Sequence, residues 1–177
     1  HLEQAKYKQE LEFKNKEMNM SNIFNVSEVV DFAVHIEQNG YKFYVETIKK
    51  FQDNKLVQLF QFLADEELKH GQTFKNLLKK LESFTPRESY SGEYEAYMKD
   101  FLKTHALANN DALQKALKSI SSIDDAISMA LSFEKDSIVL FTMLKSYVDT
   151  DNQKVVDTII QEEMKHILMI SRYKHGL

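Results

Sequence analysis

The chain has 177 residues, with one Pro, four Gly, no Cys and a formal net charge of −4. That length is enough for one domain with a sizeable core. The shortage of breakers beside plentiful Leu, Lys, Glu, Ala and Phe favours helices over strands. The lack of cysteine excludes disulfides, iron–sulfur clusters, haem-attachment motifs and thiolate metal sites, and the mild, interleaved acidity argues against a nucleic-acid partner.

No apolar run is long enough to span a membrane and no secretory signal is visible, so the expectation is a cytoplasmic protein with no membrane partner. The sequence opens on His1. Residues 1–20 are charged and lack a clean apolar stripe. They read as a tag remnant or an N-terminal extension, and residues 21–177 as one domain.

The first helical pattern begins after Ser27, a good N-cap. Val30, Val34, Tyr41, Tyr44, Ile48 and Phe51 recur at spacings of three and four and share one face. Gln52-Asp53-Asn54 is a short polar break, so the next helix returns antiparallel. That second helix carries Leu56, Leu59, Phe60, Leu63, Phe74, Leu77 and Leu81, and stops before Thr85-Pro86 because proline disfavours helix in the residue preceding it.

A long stretch follows, from about Arg87 to Ser122, with short helical candidates near Glu93–Phe101 and Asp111–Lys118. Its length suits a crossover along a bundle. Tyr90, Tyr94, Tyr97 and Phe101 in this stretch are expected to pack outside the bundle or on a second subunit, which points to a homodimer. The third helix starts around Ser122–Asp124 and presents Ile123, Ile127, Ala130, Ile138, Phe141, Leu144 and Val148. Asp149-Thr150-Asp151-Asn152 makes the next break. The fourth helix carries Val156, Ile159, Ile160, Ile167 and Ile170 and runs toward Gly176. The expected fold is all-α: a four-helix bundle of two antiparallel hairpins joined by one long crossover.

Each apolar seam is broken near its middle by side chains that can ligate a metal. Glu37 interrupts the first, Glu67 and His70 the second, Glu134 and Ser137 the third, Glu163 and His166 the fourth. Antiparallel helices of similar length bring their middles to one level, so the breaks should meet in a single layer. Glu67-Leu68-Lys69-His70 and Glu163-Met164-Lys165-His166 are Glu-x-x-His motifs, whose ends share a helix face. One such motif is common by chance. Two of them in step with two single seam glutamates match the arrangement of ferritin-like di-metal carboxylate proteins.

Four buried carboxylates without counter-charge would be very costly. Two divalent cations cancel them, and neutral imidazoles complete the ligand set without adding charge. Carboxylate and imidazole together suit iron or manganese, so the expected cofactor is two iron ions, with manganese or a mixed pair compatible with the same ligands. Glu67 and Glu163 are the expected bridges.

At these residues the sequence resembles the rubrerythrin branch of the ferritin-like superfamily. The resemblance is carried by Glu37 followed by Tyr44, the run Ala64-Asp65-Glu66-Glu67-Leu68-Lys69-His70, Glu134 within Ser132-Phe133-Glu134-Lys135-Asp136, and Gln161-Glu162-Glu163-Met164-Lys165-His166. It spans about Val26 to Tyr173. It implies a ferritin-like fold with a di-iron site that reacts with hydrogen peroxide or dioxygen, and a Tyr44 that lies near the irons as a hydrogen-bond partner of their ligands. Two departures stand out. Where rubrerythrins usually carry a further glutamate one turn after the third-helix ligand, this chain has Ser137. The four-cysteine rubredoxin-like module of many rubrerythrins is also missing here, so the resemblance implies a separate electron-donor protein.

Blander readings exist for single residues. Glu37 or Glu134 alone would more often be a surface glutamate, and His70 or His166 alone a satisfied core histidine. Tyr44 is equally readable as a core aromatic. Glu66 and Glu162 flank the motif glutamates but point off the seam, and read as solvated. His35 lies with Asp31, Gln38 and Lys42 on the polar face. Gly40 and Gly71 sit inside helices at a cost of about 1 kcal/mol each, close to expected ligands. Three functions are consistent with the whole: an oxidoreductase, ferrous iron oxidation and iron handling at the same site, and a non-enzymatic helical interaction module.

Overall fold

The computed structural model describes residues 26–81, 100, 105 and 107–176. Among them are five helices: α1 (Val26–Ile48), α2 (Asn54–Leu81), α3 (Asn110–Ser119), α4 (Ile123–Lys145) and α5 (Thr150–His175). No strand occurs among the described residues. Segment 1–20, the helical candidate near Glu93–Phe101 and the aromatics Tyr90, Tyr94, Tyr97 and Phe101 lie outside the described residues.

Helix starts follow the side chains that can bond free backbone N–H groups. Asp53 accepts from the Leu56 amide at 2.7 Å, and Asn109 from the Ala112 amide at 2.9 Å. Ser122 and Asp125 form a reciprocal capping box at the start of α4, which satisfies two orphan donors at once. Asp149 caps α5 through the Asn152 amide at 2.9 Å. Three of the four residues expected as the last break, Thr150 to Asn152, therefore form the first turn of α5. Polar residues around a cap look like a linker in sequence because capping chemistry and loop chemistry use the same side chains. At the far end Gly176 takes φ +68° and closes α5 with its N–H on the carbonyls of Arg172 and Tyr173, the left-handed position where glycine carries no Cβ penalty.

α1 packs mainly on α2 and α4 mainly on α5, while the two hairpins meet along α1–α4 and α2–α5. Direction can be read from the aromatic contacts. Phe43 meets Phe133 at 4.6 Å and Tyr44 meets Phe60 at 5.0 Å between ring centroids, while Phe74 meets Phe141 at 4.8 Å. Phe60 and Phe133 precede the mid-helix acids of α2 and α4, and Phe74 and Phe141 follow them. α2 and α4 therefore run the same way, which needs the long crossover between them.

The crossover is tied to α1. Asn39 Nδ2 donates to the Leu107 carbonyl at 2.8 Å. Lys50 Nζ donates to the carbonyl of Leu117, and at 3.4 Å to that of Ile120, near the end of α3, where free carbonyls and a cation suit each other. α1 thus faces α2, α4 and α3, and its buried face is wider than one seam: Val29, Ala33, Ile36 and Phe43 are buried beside Val30, Val34 and Tyr44. No described helix is long and apolar enough to cross a membrane.

Candidate metal centre

The four mid-seam breaks converge. Glu37 from α1, Glu67 and His70 from α2, Glu134 from α4, and Glu163 and His166 from α5 are all buried, none more than 7% exposed. Their ligand atoms form two overlapping groups, each with its atoms within 4.8 Å of one another: Glu37, Glu67, His70 and Glu163, and Glu67, Glu134, Glu163 and His166. Glu67 and Glu163 belong to both. Every sequence-predicted ligand is in the cluster.

Both imidazoles turn Nδ1 inward. His70 Nδ1 is 2.8 Å from Glu163 Oε1 and 3.8 Å from Glu37 Oε2, and His166 Nδ1 is 2.9 Å from Glu163 Oε2 and 3.5 Å from Glu134 Oε2. The rings lie nearly parallel, 21° apart, with centroids 5.6 Å from each other. Tyr44 donates its hydroxyl to Glu134 Oε1, so the tyrosine expected beside the site bonds one of its carboxylates.

Electrostatics show an arrangement short of positive charge. Burial, then the charge of Glu67, raises Glu37 well above the ordinary carboxylate range. Burial raises Glu67, and it lifts Glu134 to about 8 with the charge of Glu163 adding to it. Burial also opposes the charge on Glu163, but hydrogen bonding from Glu134 and the two imidazoles prevails and holds it low. The imidazoles shift the other way. Burial disfavours their charge, yet Glu163 holds His70 up at about 9, and Glu134 and Glu163 hold His166 up at about 11. Protons on these groups supply the compensation that cations would otherwise give.

The donor set fits metal coordination on independent grounds. Glu37 Oε1 and Oε2 are fully buried and make no hydrogen bond among the described residues. Buried polar atoms are ordinarily satisfied, and two unsatisfied carboxylate oxygens within this cluster match what ion coordination would supply. Gly40 makes room for one of the shared carboxylates: a Cβ there would stand 3.2 Å from Glu67 Cδ and 3.4 Å from its Cγ. At Gly71 a Cβ would stand 3.4 Å from Glu37 Cβ. The two helical glycines thus sit against predicted ligands.

Beside the cluster is a small cavity, about 10 Å³ for the centre of a water-sized molecule, lined by Gly40, Tyr44, Glu67, Glu134, Ser137 and Leu107 among others. That is room for about one water. Ser137, with its short side chain, is one of the residues that line it.

Two expectations are corrected. Glu162 is not simply solvated: its Oε2 lies 2.9 Å from His70 Nε2, on the outer side of a buried imidazole. Nor is Glu66 free in solvent, because its carboxylate bonds Lys69 and its side chain is only 16% exposed. The off-seam positions of these two residues are real, but a seam describes one helix, and the partner of Glu162 comes from another. Asn39, which pins the crossover at the cavity-lining Leu107, was also missed; a lone polar residue beside a seam carries no signal of its partner. His35 is exposed and bonds the Asp31 carbonyl at 2.8 Å, as its polar-face position predicts.

Comparison with known proteins agrees with this geometry. The rubrerythrin family model matches residues 2–78. A solved structure from Thermotoga maritima, described as a ferritin-like diiron-carboxylate protein, superposes with a TM-score of 0.62 at 23% identity, covering 88% of this chain and 99% of that one. No curated protein sequence matches the chain. The family match covers α1 and most of α2, where the chain is similar to rubrerythrins, and the fold it shares with the solved structure is ferritin-like.

Proposed function

We propose that the buried cluster holds two iron ions and that the protein reduces hydrogen peroxide or dioxygen with electrons from a separate donor protein. The observation that carries this reading is the overlap of the two ligand groups. Each contains one imidazole and three carboxylates, and Glu67 and Glu163 are common to both. A single-ion site has no use for two shared carboxylates; a pair of ions does. Glu37 and His70 complete one half and Glu134 and His166 the other. The same set would accept manganese.

When bound in the ferrous state, the two ions supply the two electrons that, with two protons, convert one hydrogen peroxide to two waters. The chain's own groups hold and shape the place where this occurs. Four buried carboxylates would hold the two ions and balance their charge in a dry core, where uncompensated charge is costly. Tyr44 fixes the orientation of Glu134 through its hydroxyl. Burial and the charge of Glu134 raise the Tyr44 phenol well above its ordinary range, so it stays protonated and remains a donor at neutral pH. The cavity at Gly40 and Ser137 gives a water-sized molecule room against Glu67 and Glu134. The 177-residue sequence has no cysteine to hold an iron–sulfur or rubredoxin-type centre, and we assign re-reduction to a separate donor protein. A cytoplasmic setting and a homodimer belong to the same proposal.

Elemental analysis after anaerobic loading with ferrous iron and desalting tests the reading. About two irons per chain, lost on Glu67→Ala, followed by peroxide-dependent oxidation of the loaded protein, is the expected result. Little iron in the intact protein would sink it.

A further inference from the structure

The two halves of the cluster differ on their outer sides. A histidine that gives one ring nitrogen to a metal ordinarily donates the other as N–H to a carboxylate or carbonyl, which fixes both tautomer and ring orientation. His70 has such a partner. Its Nδ1 faces Glu37 and Glu163, while its Nε2 meets Glu162 Oε2 at 2.9 Å. The glutamate comes from α5 and the histidine from α2, so the bond also ties the two hairpins together across the centre.

The corresponding residues of the other half are arranged otherwise. Glu66 stands to Glu67 as Glu162 stands to Glu163, but its carboxylate is bonded to Lys69. Among the described residues no carboxylate bonds the outer nitrogen of His166. The exposed Phe62 instead meets that ring edge-on, at 6.2 Å between centroids.

We propose, building on the metal-binding reading above, that Glu162 is a positioning residue. It accepts the Nε2 proton of His70, holds the ring with the Nδ1 lone pair inward, and makes the half-site of Glu37, Glu67, His70 and Glu163 the tighter of two unequal half-sites. The centre therefore fills in order, the His70 half before the His166 half. Glu162 is partly exposed, with 36% of its side chain open to solvent, so it acts from the edge of the core, where it can be altered without emptying the core.

The test uses the full chain and zinc ion as a diamagnetic probe. Calorimetric titration gives the two binding constants, and ¹⁵N-histidine NMR of the loaded protein gives the ring tautomers. In the wild-type protein two unequal binding steps are expected, with His70 protonated at Nε2 and metal-bound through Nδ1. Glu162→Ala is expected to weaken the tighter step by roughly 10–100-fold and to leave the weaker one in place. Glu162→Gln, whose amide oxygen still accepts the Nε2 proton, should restore most of the loss. Thermal unfolding of each metal-free variant checks that the bundle is intact, and Glu162→Asp replaces the alanine variant if that one does not fold.

Unchanged constants in Glu162→Ala would overturn the inference while leaving the metal site standing. Equal weakening by Gln and Ala would also overturn it, because charge alone would then be acting. A wild-type protein that takes up neither zinc nor ferrous iron would instead overturn the metal reading itself.

Discussion

Two adjacent layers of this core are equally dry and energetically opposite. The aromatic layer of Phe43, Tyr44, Phe60 and Phe133 is buried throughout, with rings meeting edge-on or tilted between 4.6 and 6.2 Å. Next to it lie four carboxylates and two imidazoles buried to the same degree. Burying an aromatic ring stabilises the fold by about 1.5–3 kcal/mol, whatever ligand is present. Burying a carboxylate costs free energy until something neutralises it. The bundle thus carries a layer that works against its stability, tolerated because the apolar layers on either side of it, including Phe74 and Phe141, hold the helices in register. Such a cost is what a site adapted to a cation would show, since the ions' binding energy is then coupled to folding.

The largest expected effect comes from breaking the aromatic layer. Phe60→Ala removes a fully buried ring that meets both Phe43 and Tyr44, and should cost ~3–5 kcal/mol. Denaturant unfolding of metal-free and iron-loaded protein should show a similar loss in both, because the ring is no ligand. A loss confined to one state would mean the two layers are not energetically separate.

The same operation in the charged layer should have the opposite sign. Both oxygens of Glu37 are buried without a hydrogen bond. Glu37→Met keeps the volume and removes the unsatisfied groups, so the metal-free protein should become more stable by ~1–3 kcal/mol. The gain should reverse on loading. At a free metal concentration of 100 times the dissociation constant, the wild-type protein gains about 2.7 kcal/mol per ion, and the variant should lose that gain at the half-site built on Glu37. If Glu37→Met destabilises the metal-free protein, then Glu37 supports the apo fold and the opposition between the layers fails.

How much of this was legible in the sequence follows from the range of the interactions. Capping, apolar seams and Glu-x-x-His motifs are local, so Ser122, the seam of α5 and the pair Glu163/His166 could be read directly. The meeting of Glu37, Glu67, Glu134 and Glu163 could be read because mid-helix breaks in similar antiparallel helices reach one level. Glu162 could not. Whether a residue one step off the seam reaches a neighbouring helix depends on rotation and rise between helices, which periodicity does not carry. The same limit hid Phe43, whose position is off the first seam but buried because α1 is covered on several sides. Asp149 to Asn152 mark the converse limit: the local chemistry was visible, but it described a cap and a first turn, not a linker.

The smallest expected effect is the most specific to the boundary between the layers. Gly40 lies between Glu67 and the cavity that also touches Tyr44. Gly40→Ala should gain about 1 kcal/mol in helix propensity. It also places a Cβ 3.2 Å from Glu67 Cδ, which the flexible glutamate relieves by moving a few tenths of an ångström. Metal-free stability should therefore change by less than about 1 kcal/mol, in either direction. Metal binding should not be so forgiving, since Glu67 serves both ligand groups and cannot move for one without leaving the other. Unaltered unfolding in the metal-free state with weakened uptake of both ions is the predicted pair of results. Full metal affinity in Gly40→Ala would show that Glu67 has slack, and that the close approach at Gly40 serves helix packing alone.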